Sequence, residues 1–176
     1  MGMTKVFYLV KKNQLTSEKI REKLSHTSTV DDLYYTVFYK EAKDWFLVFD
    51  EYYCEGQYNA DEAFMASLEK TFGSTVIALS TFDSDAAFFN ICENGELYRY
   101  IRARDYMLEE FGFEEYEPAI PIELESYVDG GALQKIWDTH YVFAEDFLQD
   151  IAQLLNAFLI FDKNDIEEDI DIIDCE

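Results

Sequence analysis

Two aspartates flank one serine in Phe82-Asp83-Ser84-Asp85. Carboxylates two residues apart can offer oxygens to a hard cation such as Mg²⁺ or Ca²⁺. The same residue types suit a turn, because Asp and Ser side chains bond to nearby backbone amides. Confident strands on both sides favour the turn, and a metal reading needs at least one further inward-facing acid. Asp83 and Asp85 are therefore weak metal candidates, and no metal or cofactor is expected. The EF-hand loop is excluded: neither this stretch nor Asp162 to Ile173 has glycine at position six followed by glutamate at twelve.

The two histidines offer little more. His26 falls at a helix end, where an imidazolium is stabilised by the helix dipole, and His140 lies between Asp138 and aromatic residues. No G-x-S-x-G elbow supplies a nucleophile. Cys54, Cys92 and Cys175 form no C-x-x-C pair, which suits reduced thiols. Asp129-Gly130-Gly131 lacks the Gly-Lys-Ser/Thr of a phosphate loop and reads as a helix entry. Arg99, Arg102 and Arg104 alternate with tyrosines, as in single-stranded nucleic-acid binders. Their acidic surroundings instead suggest internal partners for the acidic C-terminal part. With 37 Asp and Glu in 176 residues, a glycosidase-like pair can be found at any spacing, so none is informative. No enzymatic activity is expected.

The elements that position these residues alternate strand and helix. Val6, Tyr8 and Val10 alternate with Phe7 and Leu9, apolar on both faces of a strand. Thr16 or Ser17 caps a helix carrying Ile20 and Leu24. Two aromatic strands follow at about 33–40 and 44–52, then a helix capped by Asn59 and stopped by Gly73. A strand over 74–82 leads into a hairpin whose Asn94-Gly95 pair marks a type I′ turn. The first six elements have the order of a ferredoxin-like split βαβ unit. The expected fold is α+β: an antiparallel sheet of about five to six strands, helices on one face, and a more helical acidic part from about residue 105. There, Asp129 caps one helix, and Phe147, Leu148, Ile151, Leu154, Leu155 and Phe158 trace the apolar stripe of another. Residues 1–161 form one domain; 162–176 are an acidic closing segment with isoleucines at 166, 170, 172 and 173. These fit a helical stripe or a strand alternation, and tether the segment to a body or a partner.

Charge sets the remaining limits. The formal net charge is −23, and it is uneven: residues 105–176 hold 21 acids against Lys135 and Lys163. Such a surface repels phosphate backbones and anionic lipids. The Val6–Val10 run is too short for a signal peptide, no stretch approaches a membrane span, and Val6 breaks a myristoylation pattern. A cytoplasmic location is expected.

In its small size, acidity, α+β character and compact FDSDAAFFNICENGELYRY hairpin, the sequence resembles bacterial immunity proteins of polymorphic and contact-dependent toxin systems. The resemblance implies a protein-binding inhibitor that covers the positively charged surface of a basic toxin, such as a nuclease. It carries over no residue roles. Charge alone places the contact on Glu109, Glu110, Glu114, Glu115, Glu117, Glu123 and Glu125, with Asp165, Glu167, Glu168, Asp169 and Asp171. Two other readings stand beside it: a structural or regulatory module acid only for solubility, and a carboxylate-metal enzyme.

Overall fold

Val6 through Val10 are all buried, although in a strand they point alternately to opposite sides. Both faces of the sheet must therefore be covered, and they are. The computed structural model describes residues 2–26 and 35–174. The strand start expected at residue 33, the side chain of His26 and the Cys175 thiol lie outside what is described.

Strands β1 (Lys5–Lys11), β2 (Thr36–Tyr39), β3 (Trp45–Phe49), β4 (Val76–Phe82), β5 (Ala86–Glu93), β6 (Glu96–Ala103) and β7 (Asp171–Asp174) form one antiparallel sheet, ordered β6-β5-β4-β1-β3-β2-β7. The run β4-β1-β3-β2 is the split βαβ order that the sequence suggests. Helices α1 (Ser17–His26) and α3 (Glu62–Phe72) pack on one face against Val6, Tyr8, Val10 and Phe46. The fold is α+β as expected, but among the described residues the sheet has seven strands rather than five or six. Helices also cover both faces rather than one. Helices α5 (Gly130–Asp138) and α6 (Ala144–Leu154), with residues 155–161, bury the opposite face on Phe7, Leu9, Leu79 and Phe89. The second layer is needed because Phe7, Leu9, Ile77 and Phe89 would otherwise face water.

Local chemistry explains most boundaries. Thr16 accepts the Lys19 amide at 3.2 Å and starts α1. Asp61, not Asn59, caps α3 through the Phe64 amide at 2.8 Å; the Asn59 carboxamide instead accepts from the Tyr116 hydroxyl at 2.6 Å. The strand expected to reach residue 52 stops at Phe49. Asp50 accepts the amides of Tyr52 and Tyr53 and opens a single turn, α2 (Glu51–Cys54). Asp129 caps α5 as expected, through the Ala132 amide. Helix α6 ends before its apolar stripe does: Asn156 takes a left-handed φ of 54°, and Ala157, Leu159 and Ile160 stay buried without helical backbone.

The closing segment belongs to the sheet. Strand β7 pairs with β2, and Ile173 is buried while Ile172 is 43% exposed, the alternation of a strand. Ile166 and Ile170 pack from outside on the core beneath α6. The helical-stripe reading of these isoleucines does not hold over 171–174, and the body they touch is the protein's own.

Candidate protein-binding surface

Phe82 to Asp85 forms the turn the sequence favours. Asp83 and Ser84 both have positive φ (48° and 60°), and the Asp85 amide returns to the Phe82 carbonyl at 3.0 Å. Paired left-handed residues match the twist of a tight hairpin. The turn's polar groups are engaged internally. Asp83 accepts the Gly2 amide at 2.7 Å, and the Ser84 hydroxyl accepts the Met3 amide at 2.7 Å and donates to Glu145. Gly2 must be glycine here, since a Cβ would stand 2.1 Å from the Asp83 carbonyl oxygen. Asp85 lies 3.7 Å from Arg104. Among the described residues, no three His, Cys, Asp or Glu side chains converge as metal ligands.

His140 is exposed and shares a cleft of about 410 Å³ with Ser84, Arg102, Trp137 and Tyr141. The Ser84 hydroxyl is committed to Met3 and Glu145 rather than to the imidazole. Cys54 and Cys92 are buried free thiols, and burial pushes each up to about 12, far from the thiolate a nucleophile needs.

Arg102 and Arg104 partner the acidic part as expected, but through its backbone carbonyls, and among the described residues neither they nor Arg99 form an ion pair with its carboxylates. Arg99 meets Glu62 at 3.2 Å and Arg104 meets Asp85, both from the first part of the chain. Arg102 donates instead to the carbonyls of Trp137 at 3.1 Å and Thr139 at 2.7 Å. It thereby caps the C-terminal end of α5, where a cation is favoured. Its guanidinium lies 4.4 Å from the Phe147 ring centre, and burial lowers its pKa.

The carboxylates of the acidic part therefore face outward with few cations. The structure divides the twelve predicted contact residues into three groups. Glu109 and Glu110 lie on α4 (Asp105–Phe111), which follows β6 directly. Glu114, Glu115 and Glu117 follow, with Glu117 bonded through its backbone to Arg99 and Ile101 along the outer edge of β6. All five are exposed, and none enters an ion pair among the described residues. Glu123 and Glu125 sit on the turn whose Leu124 is buried against the α5–α6 side. Glu123 is half-buried beside Tyr100, whose pKa it helps raise, and one of its oxygens is buried without a hydrogen-bond partner.

The third group lies at the other edge of the sheet. Lys40 holds Glu167 at 2.5 Å and Asp169 at 3.2 Å, and the two carboxylates raise its pKa. Asp171 takes Arg21 at 2.7 Å and Ser17 at 2.5 Å. Asp165 accepts the Asp162 amide and Glu168 is exposed. Six strand spacings separate β6 from β7, roughly 29 Å of sheet. One partner patch cannot centre on both groups. No protein-family model, curated protein or solved structure matches the chain.

Missing from the sequence-based set are the apolar residues among the glutamates. Phe111 is 50% exposed and Tyr106 45% exposed on the same short helix. Their only sequence signal is an aromatic on each side of Glu109-Glu110, in a stretch that otherwise reads as an amphipathic turn. Among the described residues no helix is long and apolar enough to cross a membrane.

Proposed function

We propose that this protein is an acidic protein-binding protein of the bacterial cytoplasm, acting as an immunity-type inhibitor that neutralises a basic toxin such as a nuclease. It acts by covering the toxin's positive surface, not by catalysis. The observation that carries the reading is the set of five exposed glutamates, Glu109, Glu110, Glu114, Glu115 and Glu117, with no ion-pair partner among the described residues. Like charges so close in sequence repel one another. A cationic surface relieves that repulsion, speeds encounter and disfavours wrong partners. The terminal acids support the reading less, because Lys40 and Arg21 already neutralise three of them.

Calorimetric titration of the full chain against a panel of cationic nuclease and toxin domains tests this. One cognate domain should bind tightly, with affinity falling steeply as salt shortens the Debye length from about 30 Å at 0.01 M to about 8 Å at 0.15 M. Glu109→Lys with Glu110→Lys should weaken it at least about tenfold more than Glu18→Lys with Glu22→Lys on α1. Equal losses from the two pairs defeat the assignment of the face. Absence of any salt-dependent partner defeats the function.

A further inference from the structure

Among the described residues seven large hydrophobic side chains are exposed, and four gather at one end of the sheet: Tyr106, Phe111, Val142 and Phe143. They are joined by short contacts. The Phe111 ring packs on Phe82, the last residue of β4, at 5.4 Å. Burial and the neighbouring Asp85 carboxylate raise the Tyr106 pKa. Arg104 bridges Asp85 and the Val142 carbonyl, the latter at 3.3 Å. Beside Phe143 opens a cleft of about 960 Å³, walled by Phe143 and Phe161 and rimmed by Asp83, Asp85, Glu145 and Asp146.

The three aromatics offer roughly 300 Å² if each contributes about half of its roughly 200 Å², and Val142, 60% exposed, brings the open apolar area toward roughly 400 Å². That is the size of patch that marks an interaction site on a soluble protein. It is about half of one side of a standard interface, roughly 800 Å². The exposed glutamates of α4 and of residues 114–117 adjoin it and supply the rest as a charged rim. Aromatic centres inside polar rims are where binding energy concentrates.

Charge decides what covers the patch. A second copy of the chain brings another −23, and nucleic acid or anionic lipid is likewise repelled. A cationic protein surface is attracted by every carboxylate around the patch. We propose that this end of the sheet is the docking centre for a basic protein partner. That partner seats an apolar side chain on Phe111, Val142 and Phe143 and places a lysine or arginine in the acid-rimmed cleft. The inference rests on the basic-partner reading above and moves its centre from charge alone to an apolar anchor.

The test is an NMR titration of the ¹⁵N-labelled full chain with two capped synthetic peptides: hexalysine, and an octapeptide with the same six lysines plus two leucines. The leucine peptide should bind at least about tenfold tighter. Its shifts should centre on residues 82–85, 104–111 and 142–146. Val142→Ser with Phe143→Ser should remove that advantage while leaving hexalysine affinity and far-UV circular dichroism unchanged, since both side chains are exposed. Equal affinities, or shifts centred on β7, overturn the docking centre and leave the basic-partner reading standing. Failure of both peptides to bind even at low salt overturns both. A concentration-dependent dimer abolished by Phe143→Ser assigns the patch to a second copy and overturns the proposal.

Discussion

Replacing Phe147 by alanine tests whether the acidic part and the sheet share one core. Phe147 is fully buried on α6. Its ring lies 5.9 Å from that of Phe89 on β5, 5.6 Å from Trp137 on α5 and 5.4 Å from Tyr141. It also forms the floor for the Arg102 guanidinium. Truncating a buried phenylalanine costs about 3–5 kcal/mol through lost transfer energy and the cavity left behind. Losing the arginine's aromatic face adds about 0.5–1 kcal/mol. We expect a total of about 5 kcal/mol, a large share of the roughly 5–15 kcal/mol that stabilises a domain. With a urea slope on the order of 2.5 kcal/mol per M, the midpoint should fall by about 2 M. Phe143→Ala, four residues away and half exposed, should stay within about 0.5 kcal/mol. Circular dichroism and tryptophan fluorescence should report one coincident transition, because Trp45 lies in β3 of the sheet and Trp137 on α5 in the overlying layer. A loss below about 1.5 kcal/mol, or two separated transitions, would refute a shared core.

Ile173→Asp should release β7, since it places a carboxylate at a buried position of the inner face. Detachment limits the cost to what the strand contributes, about 2–3 kcal/mol, and hydrogen exchange should accelerate in β7 and β2 while β4 and β5 stay protected; uniform acceleration across the sheet counts against a separable edge. Alkaline titration should be cooperative: burial raises Tyr116, Tyr127 and Tyr141 to about 12 and Tyr8 and Tyr100 higher still. Their neutral forms favour the fold fully below the unfolded value near 10, and this stabilisation is lost as pH rises through 12. Tyrosinate absorbance should therefore rise in two steps, the second together with loss of circular dichroism. A single step near pH 10 with native ellipticity retained contradicts this.

What was legible in the sequence was local chemistry. Asn94-Gly95 and Phe82–Asp85 announced their turns, and Asp129 and Gly73 their helix boundaries, because each is decided by a few neighbouring backbone bonds. Residues 6–10 read as apolar on both faces of a strand, yet helices were expected on one face of the sheet only. The split βαβ order supplies helices for one side only, so the second layer had to come from the acidic part. Less accessible were features set at long range. Ile170 to Ile173 fit either periodicity until pairing with β2 selected a strand. Arg102 does partner the acidic part, but that its partners are carbonyls at the end of α5 is set by packing beside β6. The candidate surface was half legible: charge singled out the glutamates of α4. The grouping of Phe111, Val142 and Phe143 depends on chain segments thirty residues apart meeting at the β4–β5 turn.

The pairing of β7 with β2 also has a kinetic side. Thr36 and Asp174, 138 positions apart, share a side-chain hydrogen bond at 2.9 Å across this pair. As a nascent chain lengthens, β2 emerges early and waits for its outer neighbour until the rest of the sheet and both helical layers have been made. Through that interval its outer backbone groups are an open template. Contacts this distant in sequence are slow to form. At high concentration during refolding, β7 of one molecule competes for β2 of another, so strand-exchanged dimers are the misassembly this topology favours.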